Sequence, residues 1–274
     1  MTSPAEKKAK LQEILQQTGS VAVAFSAGVD STFLLAVARE VLGENVLAIT
    51  GRAAAVPERD CAEAAAFCRE QGIEQLIIDV DQLAIPGFRD NPPERCYLCK
   101  KALFSAFSEA AAARGFDNLA EGTNTDDMGD YRPGLRALAE LGVCSPLRDA
   151  GLTKQDIRAL SREMGLPTAD KPAFACLATR IPCGEEITEE KLDMIEQAEQ
   201  VLLDSGFRQL RVRTIEQPDA AGLLARIEVG QDETGRFDDP ELIARTEREI
   251  KRIGYTKVEY DPEGYRCGSM NPQL

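Results

Sequence analysis

Six residues, Ser26-Ala27-Gly28-Val29-Asp30-Ser31, bring together small side chains, two hydroxyls and one carboxylate directly after the apolar run Val21-Ala22-Val23-Ala24-Phe25. Where a buried strand turns into a helix, the helix start offers backbone N–H groups without intrahelical partners and the positive end of a dipole, and both attract phosphate. Small residues let the backbone come close to such a ligand, and Ser26 and Ser31 add hydroxyl donors. A carboxylate beside bare phosphate repels it. Asp30 makes sense there as a ligand of Mg²⁺. The G-x-x-x-x-G-K-[ST] pattern of a Walker A loop is absent. An ordinary strand-to-helix turn capped by Ser or Asp has the same composition, and the loop by itself does not separate the two readings.

The cysteines are the second source of chemistry. There are eight of them, Cys61, Cys68, Cys96, Cys99, Cys144, Cys176, Cys183 and Cys267, and no histidine. Imidazole metal sites, histidine general bases and Ser-His-Asp triads are therefore excluded. A soft-metal site must rest on thiolates, and a nucleophile must be Cys, Lys or the substrate itself. Cys96-Tyr97-Leu98-Cys99 is a C-x-x-C just before an expected helix. By its spacing alone it suits zinc completed by Cys183 or Cys267, a redox pair, or a chance pairing. Cys61 and Cys68 are seven apart on an expected helix and share a face, as buried small hydrophobes do. Cys144 precedes Ser145-Pro146 and has no evident partner. Arg211 and Arg213 alternate on an expected strand, so both point to one face. They form either a solvated surface or a fork for a substrate phosphate. Arg180 and Arg266 are further candidates for that phosphate.

The elements that position these residues are legible in the pattern. Ser3-Pro4-Ala5-Glu6 is a capping box with proline at the first helical position, and predicts a helix over 4–18. Strands are expected at 21–25, 46–50, 75–80 and 118–121, and helices from 31 to 42 and over 57–71, 100–114 and 153–165. This alternation predicts an α/β fold with a parallel sheet covered by helices on both faces. Ligands of such sheets lie beyond the strands' carboxyl ends. Past residue 171 the alternation stops. A long helix at 188–205, strands at 209–214, 223–229 and 256–260 and a helix at 240–254 make a smaller α+β domain. The expected division is 1–170, a linker over 171–186 that carries Cys176, and 187–274 for substrate binding or oligomerisation. The chain has no run of 18 apolar residues and no signal-peptide pattern, so no membrane partner and a cytoplasmic location are expected. The net charge of −14 argues against a nucleic-acid track.

The loop resembles the S-G-G-x-D-S loop of the ATP pyrophosphatase superfamily, with Ala27 where glycine is usual. If that position needs positive φ, alanine strains it. Further segments narrow the likeness: Glu121-Gly122-Thr123-Asn124-Thr125-Asp126-Asp127, Asp130-Tyr131-Arg132-Pro133-Gly134, Ala175-Cys176-Leu177-Ala178-Thr179-Arg180-Ile181-Pro182 and Arg211-Val212-Arg213. Together, over nearly the whole chain, they resemble the LarE family of ATP-dependent sulfur transferases, which help to build the nickel-pincer nucleotide cofactor. The resemblance implies an adenine nucleotide alpha hydrolase domain that binds ATP through residues 26–31 and Gly122, with Mg²⁺ on Asp30. It implies adenylation of pyridinium-3,5-biscarboxylic acid mononucleotide with release of pyrophosphate, followed by sulfur delivery to form thiocarboxylates. Cys176 matches the sulfur-bearing cysteine, which in some members gives up its own sulfur and becomes dehydroalanine. Members with three such cysteines look like iron–sulfur enzymes, which implies a [4Fe–4S] cluster on Cys96, Cys99 and Cys176. The expected partner is a small nucleotide substrate, and a homo-oligomer is expected. Two alternatives stand beside this reading: another adenylating enzyme of the loop class, such as a tRNA thiolase, and a non-catalytic nucleotide-binding module with a structural metal. Pyrophosphate release separates the module from both enzymes.

Overall fold

The computed structural model of the protein describes residues 2–129, 133–172, 175–217 and 222–266. It forms two compact units, one of Met1–Asp81 and Cys96–Ala173, the other of Gln82–Arg95 and Phe174–Leu274.

The first unit contains α1 (Pro4–Thr18), β1 (Val21–Ala24), α2 (Val29–Leu42), β2 (Val46–Arg52), α3 (Glu58–Gln71) and β3 (Glu74–Asp79). After these come α4 (Arg95–Ala112), β4 (Leu119–Ala120), α5 (Pro133–Glu140), α6 (Pro146–Asp149) and α7 (Lys154–Glu163). The four strands are parallel, in the order β3-β2-β1-β4. Their apolar runs are explained by burial on both faces. Val21, Val23, Val46 and Ala48 pack with α1, α2, α3 and α7 through Leu11, Phe33, Phe67 and Ile157. Ala22, Leu47 and Ile49 face the other way and pack with Phe104 and Phe107 of α4 and Leu138 of α5. The expected parallel sheet with helices on both faces is the fold found.

Two boundaries differ from the sequence reading in ways that matter. Helix α2 starts at Val29, with Gly28 as its N-cap, so Asp30 stands in the first helical turn and not in the loop. Helix α4 starts at Arg95, one residue past Pro92-Pro93 and with Arg95 N bonded to Pro92 O. Cys96 and Cys99 therefore lie inside its first turns, not before it. Proline is tolerated at a helix start because the first N–H groups need no intrahelical acceptor.

In the second unit α8 (Glu189–Asp204) and α9 (Pro240–Ile253) accompany β5 (Leu210–Glu216), β6 (Leu223–Val229) and β7 (Lys257–Tyr260). β5 and β6 pair antiparallel, β6 and β7 parallel. Leu202, Val212, Ile227 and Ile250 are fully buried in its core. The sequence division kept residues 82–95 in the first domain, whereas here they belong to the second unit. The reason is local: Gly184 N bonds to Asn91 O and Ile187 N to Arg89 O, both at 2.9 Å, and Asn91 Nδ2 bonds to Pro182 O at 2.6 Å. Asn91 is buried with φ of 49°, a conformation that asparagine tolerates better than most residues. Among the described residues no helix is long and apolar enough to cross a membrane.

Candidate functional site

The chain leaves β1, builds β2 and β3 on one side of it, and returns to place β4 on the other. The carboxyl ends of β1 and β4 thus flank the point where strand order reverses, the usual crevice for a ligand of this architecture. The turn Ser26-Ala27-Gly28 leaves β1 there. Ser26 and Ser31 hydroxyls lie 3.2 Å apart, and Ser31 Oγ donates to Gly28 O at 3.2 Å. These bonds close the turn over the first N–H groups of α2. From β4 comes Gly122. A Cβ on it would sit 3.1 Å from Ser31 N and 3.2 Å from Asp30 Cβ, so a residue without a side chain lets the two segments touch.

Ala27 has φ of 54° and is 2% exposed. The left-handed region costs an L-residue about 1–2 kcal/mol, and the larger freedom of glycine in the unfolded chain returns part of that. Ala27→Gly is expected to stabilise the protein by about 0.5–1 kcal/mol, read as a higher urea midpoint. A lower midpoint would show that Ala27 is not strained.

Asp30 is held from two sides. Lys154 Nζ reaches Oδ2 at 2.5 Å, and Asn124 Nδ2 donates to Oδ1 at 3.3 Å. Both partners are themselves fixed. Lys154 is the first residue of α7 and its backbone N bonds to Asp126 Oδ2 at 2.8 Å. Asn124 is buried, takes a bond from Asp126 N at Oδ1 and bonds through its own N to Asp127 Oδ2. Next to it, buried Glu121 accepts from Thr123 Oγ1 and Ser145 Oγ at 2.7 and 2.6 Å. Lys171 supports the loop from beneath, with Nζ 3.2 Å from Ala27 O and 2.6 Å from Glu63 Oε2. Arg158 of α7 fixes that lysine's segment through bonds to the carbonyls of Ala169 and Lys171.

Sequence reasoning singled out Asp30 and Gly122 but missed Asn124, Lys154, Lys171 and Arg158. Asn124 was visible inside the 121–127 segment. Nothing local marks Lys154, which only looks like an exposed first-turn residue behind the Thr153 cap. Mg²⁺ commonly takes one or two carboxylates and completes its shell with waters and nucleotide phosphates. Asp30 at a helix start, beside N–H groups that suit phosphate, fits that donor set.

Cys96 is exposed and Cys99 half-buried, three apart on α4 and so on one helical face. Gly134 of α5 approaches this turn closely, since a Cβ there would lie 2.8 Å from Lys100 Cδ. Beside the pair, Tyr97 Oη and Lys101 Nζ both donate to Glu140, and the Arg136 guanidinium lies 3.9 Å from the Tyr97 ring centre. In the second unit Cys176 is exposed and precedes the short 3₁₀ turn Leu177–Arg180. Cys183 is exposed as well, with Sγ 3.3 Å from Asn91 O. Among the described residues no group of three Cys, Asp or Glu is gathered as a metal ion would need, and Cys267 lies outside them. Cys68 is buried and its thiol is pushed up to about 11 by burial, as an inert core residue. Cys61 is half-buried. Cys144, also half-buried, extends the sheet by a parallel bridge to Ala120.

The arginines are deeper than an exposed fork. Arg180 is fully buried and pairs with Glu199 at 2.7 and 3.0 Å, while its Nη1 caps the carbonyls of Ala175 and Cys176. Arg213, 4% exposed, pairs with Glu228 at 2.6 Å and bonds to Thr179 O. Arg211 is 2% exposed, bonds to Leu210 O, and stacks 4.7 Å from the Tyr265 ring centre. Burial first, then the charge of Arg180, brings its pKa down to about 10. Arg266 is half exposed and pairs with Asp261 and Glu263. The solvated-face reading of Arg211 and Arg213 therefore does not hold. Two of the four arginines, Arg180 and Arg213, are committed to buried carboxylates.

The sequence profile of the NAD synthase family matches residues 5–91, the stretch from α1 through the loop and β3 to Asn91. Over 277 residues the chain is 33% identical to pyridinium-3,5-bisthiocarboxylic acid mononucleotide synthase of Lactiplantibacillus plantarum, covering 100% of this chain and 97% of that one. It is 36% identical over 270 residues to a protein of Synechocystis sp., covering 97% of this chain and 98% of the other. The glutamine-hydrolyzing GMP synthase of Rhizobium etli is 26% identical over 224 residues, which span 73% of this chain and 43% of that enzyme.

Proposed function

Because the chain belongs to the family of pyridinium-3,5-bisthiocarboxylic acid mononucleotide synthase, the LarE family, we propose that it adenylates pyridinium-3,5-biscarboxylic acid mononucleotide and converts its carboxylates to thiocarboxylates. The observation that carries this reading is the closed turn at the switch point, with Asp30 held in the first turn of α2. A substrate carboxylate oxygen attacks the α-phosphorus of ATP. The bond to the β-phosphate oxygen breaks and pyrophosphate leaves from the N–H groups of α2, which stabilise its charge. Magnesium, when bound on Asp30, neutralises phosphate charge. The acyl-adenylate is then attacked at its carbonyl carbon by sulfur, and AMP departs.

In this reading Cys176 supplies or relays the sulfur. Its exposure at the start of a turn fixed by Arg180 supports that role. Cys96 and Cys99 share one helical face and would give two ligands to a [4Fe–4S] cluster, with Cys176 as the third. Cys96 and Cys99 lie in one unit and Cys176 in the other, and no step of the reaction is drawn through a cluster. For the substrate phosphate the reading takes Arg211 and Arg213, which share one face of β5, with Arg180 and Arg266 as further candidates. Arg211→Gln shortens the side chain and removes the charge. It is expected to raise KM for the mononucleotide about tenfold and leave KM for ATP within about twofold. A parallel rise in both would reject the assignment.

The test of the whole reading is an anaerobic incubation with ATP, Mg²⁺, the mononucleotide and a sulfide source. Pyrophosphate, AMP and a product carrying sulfur in place of a carboxylate oxygen are expected. Orthophosphate and ADP, or no consumption of ATP, would overturn it.

A further inference from the structure

The contact between Lys154 and Asp30 has no place in the reaction just described. Asp30 is the carboxylate on which that reading puts magnesium, yet its Oδ2 is taken by an ammonium at 2.5 Å and its Oδ1 by Asn124. Both members of the ion pair are half-buried, at 31% exposure for the lysine and 23% for the aspartate, so the contact is partly shielded from water. Lys154 reaches Asp30 across 124 positions of sequence and is anchored at the start of α7 by its own N–H to Asp126 Oδ2. A lysine placed this way is not a wandering surface side chain.

A cation already on the oxygen that a metal needs has a definite consequence. Magnesium and the ammonium compete for the charge of one carboxylate, and two positive charges on it repel. We propose that Lys154 is a positioning residue of the loop: in the nucleotide-free protein its ammonium occupies the metal's place on Asp30. It keeps the carboxylate aimed and lets a divalent ion in only when a polyphosphate arrives with it. The anionic nucleotide reverses the balance. It brings negative charge that holds both cations, so the ammonium leaves Oδ2 for a phosphate oxygen while the metal takes the carboxylate. Metal without nucleotide is thereby disfavoured, and so is an Asp30 that swings away before the substrate is bound.

This role of Lys154 rests on Asp30 as the metal-binding carboxylate, and its test separates that premise from the proposal. Mn²⁺ binding to the full-length protein, without nucleotide, is measured by electron paramagnetic resonance for the parent, Lys154→Met, Lys154→Gln, Lys154→Arg and Asp30→Asn. Removing the ammonium is expected to tighten Mn²⁺ binding about fivefold in both neutral variants, the equivalent of about 1 kcal/mol for a half-exposed pair. Lys154→Arg should stay near the parent, and Asp30→Asn should bind nothing. In steady state, Lys154→Met should need less Mg²⁺ for half-saturation but release pyrophosphate more slowly. Mn²⁺ binding by the neutral variants no tighter than that of the parent, including no binding by any, overturns the proposal. Tighter binding in both variants without any pyrophosphate release by the parent supports the competition and rejects only the adenylation reading. The circular dichroism of each variant is compared with the parent's, and Lys154→Gln serves where Lys154→Met does not fold.

Discussion

Asp30→Ala is expected to lower pyrophosphate release by on the order of 100- to 1,000-fold, with the far-ultraviolet circular dichroism unchanged. The fold should tolerate it. Asp30 lies on the first turn of α2 with its side chain partly in water, and the helix is held by the buried Phe33, Leu34 and Val37 behind it. Alanine is also a better helix former than aspartate. What it removes is the carboxylate between Asn124 and Lys154, and with it the protein's ligand for the metal at the phosphates. Asp30→Asn should be nearly as damaging. It preserves shape and one hydrogen-bond acceptor but not the charge on which a divalent cation depends. The check is a coupled pyrophosphate assay with ATP and the mononucleotide. Release within tenfold of the parent would remove Asp30 from the chemistry. Release of orthophosphate by the parent would reject the whole loop class.

Cys176→Ala is expected to abolish thiocarboxylate formation while pyrophosphate release persists within a few-fold. The two activities part because they draw on different groups: adenylation needs the loop and Asp30, sulfur delivery needs the thiol. The substitution is mild in structural terms. The bonds that shape the turn, from Thr179 N, Thr179 Oγ1 and Arg180 Nη1, all end on the main-chain carbonyl of Cys176, which alanine retains. Loss of both activities together would place Cys176 in the fold or in nucleotide binding instead. The parent protein also discriminates between the two sulfur sources. Brown anaerobic protein with about four irons per chain, bleached equally by Cys96→Ala, Cys99→Ala and Cys176→Ala, would establish the cluster. Colourless protein that turns over once and emerges with Cys176 lighter by one sulfur would make the cysteine itself the donor.

Much of this protein was fixed by its sequence alone, and by short-range physics. Strand burial on both faces demands runs such as Val21-Ala22-Val23 and Val46-Leu47-Ala48-Ile49. The alternation of those runs with amphipathic stretches leaves a parallel sheet as the economical fold. The capping box at Ser3 sets the start of α1 to the residue, because it is a closed set of bonds within four positions. The position of the 26–31 loop was equally local, whereas whether position 27 needs a positive φ stayed open until the structure gave Ala27 a φ of 54°. That any soft-metal site must rest on thiolates followed from the absence of histidine.

Tertiary structure decided what meets across long separations. Periodicity cannot tell that Lys154 reaches Asp30, that Lys171 reaches the carbonyl of Ala27, or that Gly122 must be bare because Ser31 lies 3.1 Å from where its Cβ would be. It also cannot tell an arginine on a solvated face from one that is buried. Arg211 and Arg213 obey the alternation rule, but whether their shared face meets water depends on what packs over β5, and Glu228 and Tyr265 are brought there by β6 and by the chain beyond β7. The sequence therefore names the groups that can do chemistry, while their partners, and through those partners their availability, come only from the way the chain closes on itself.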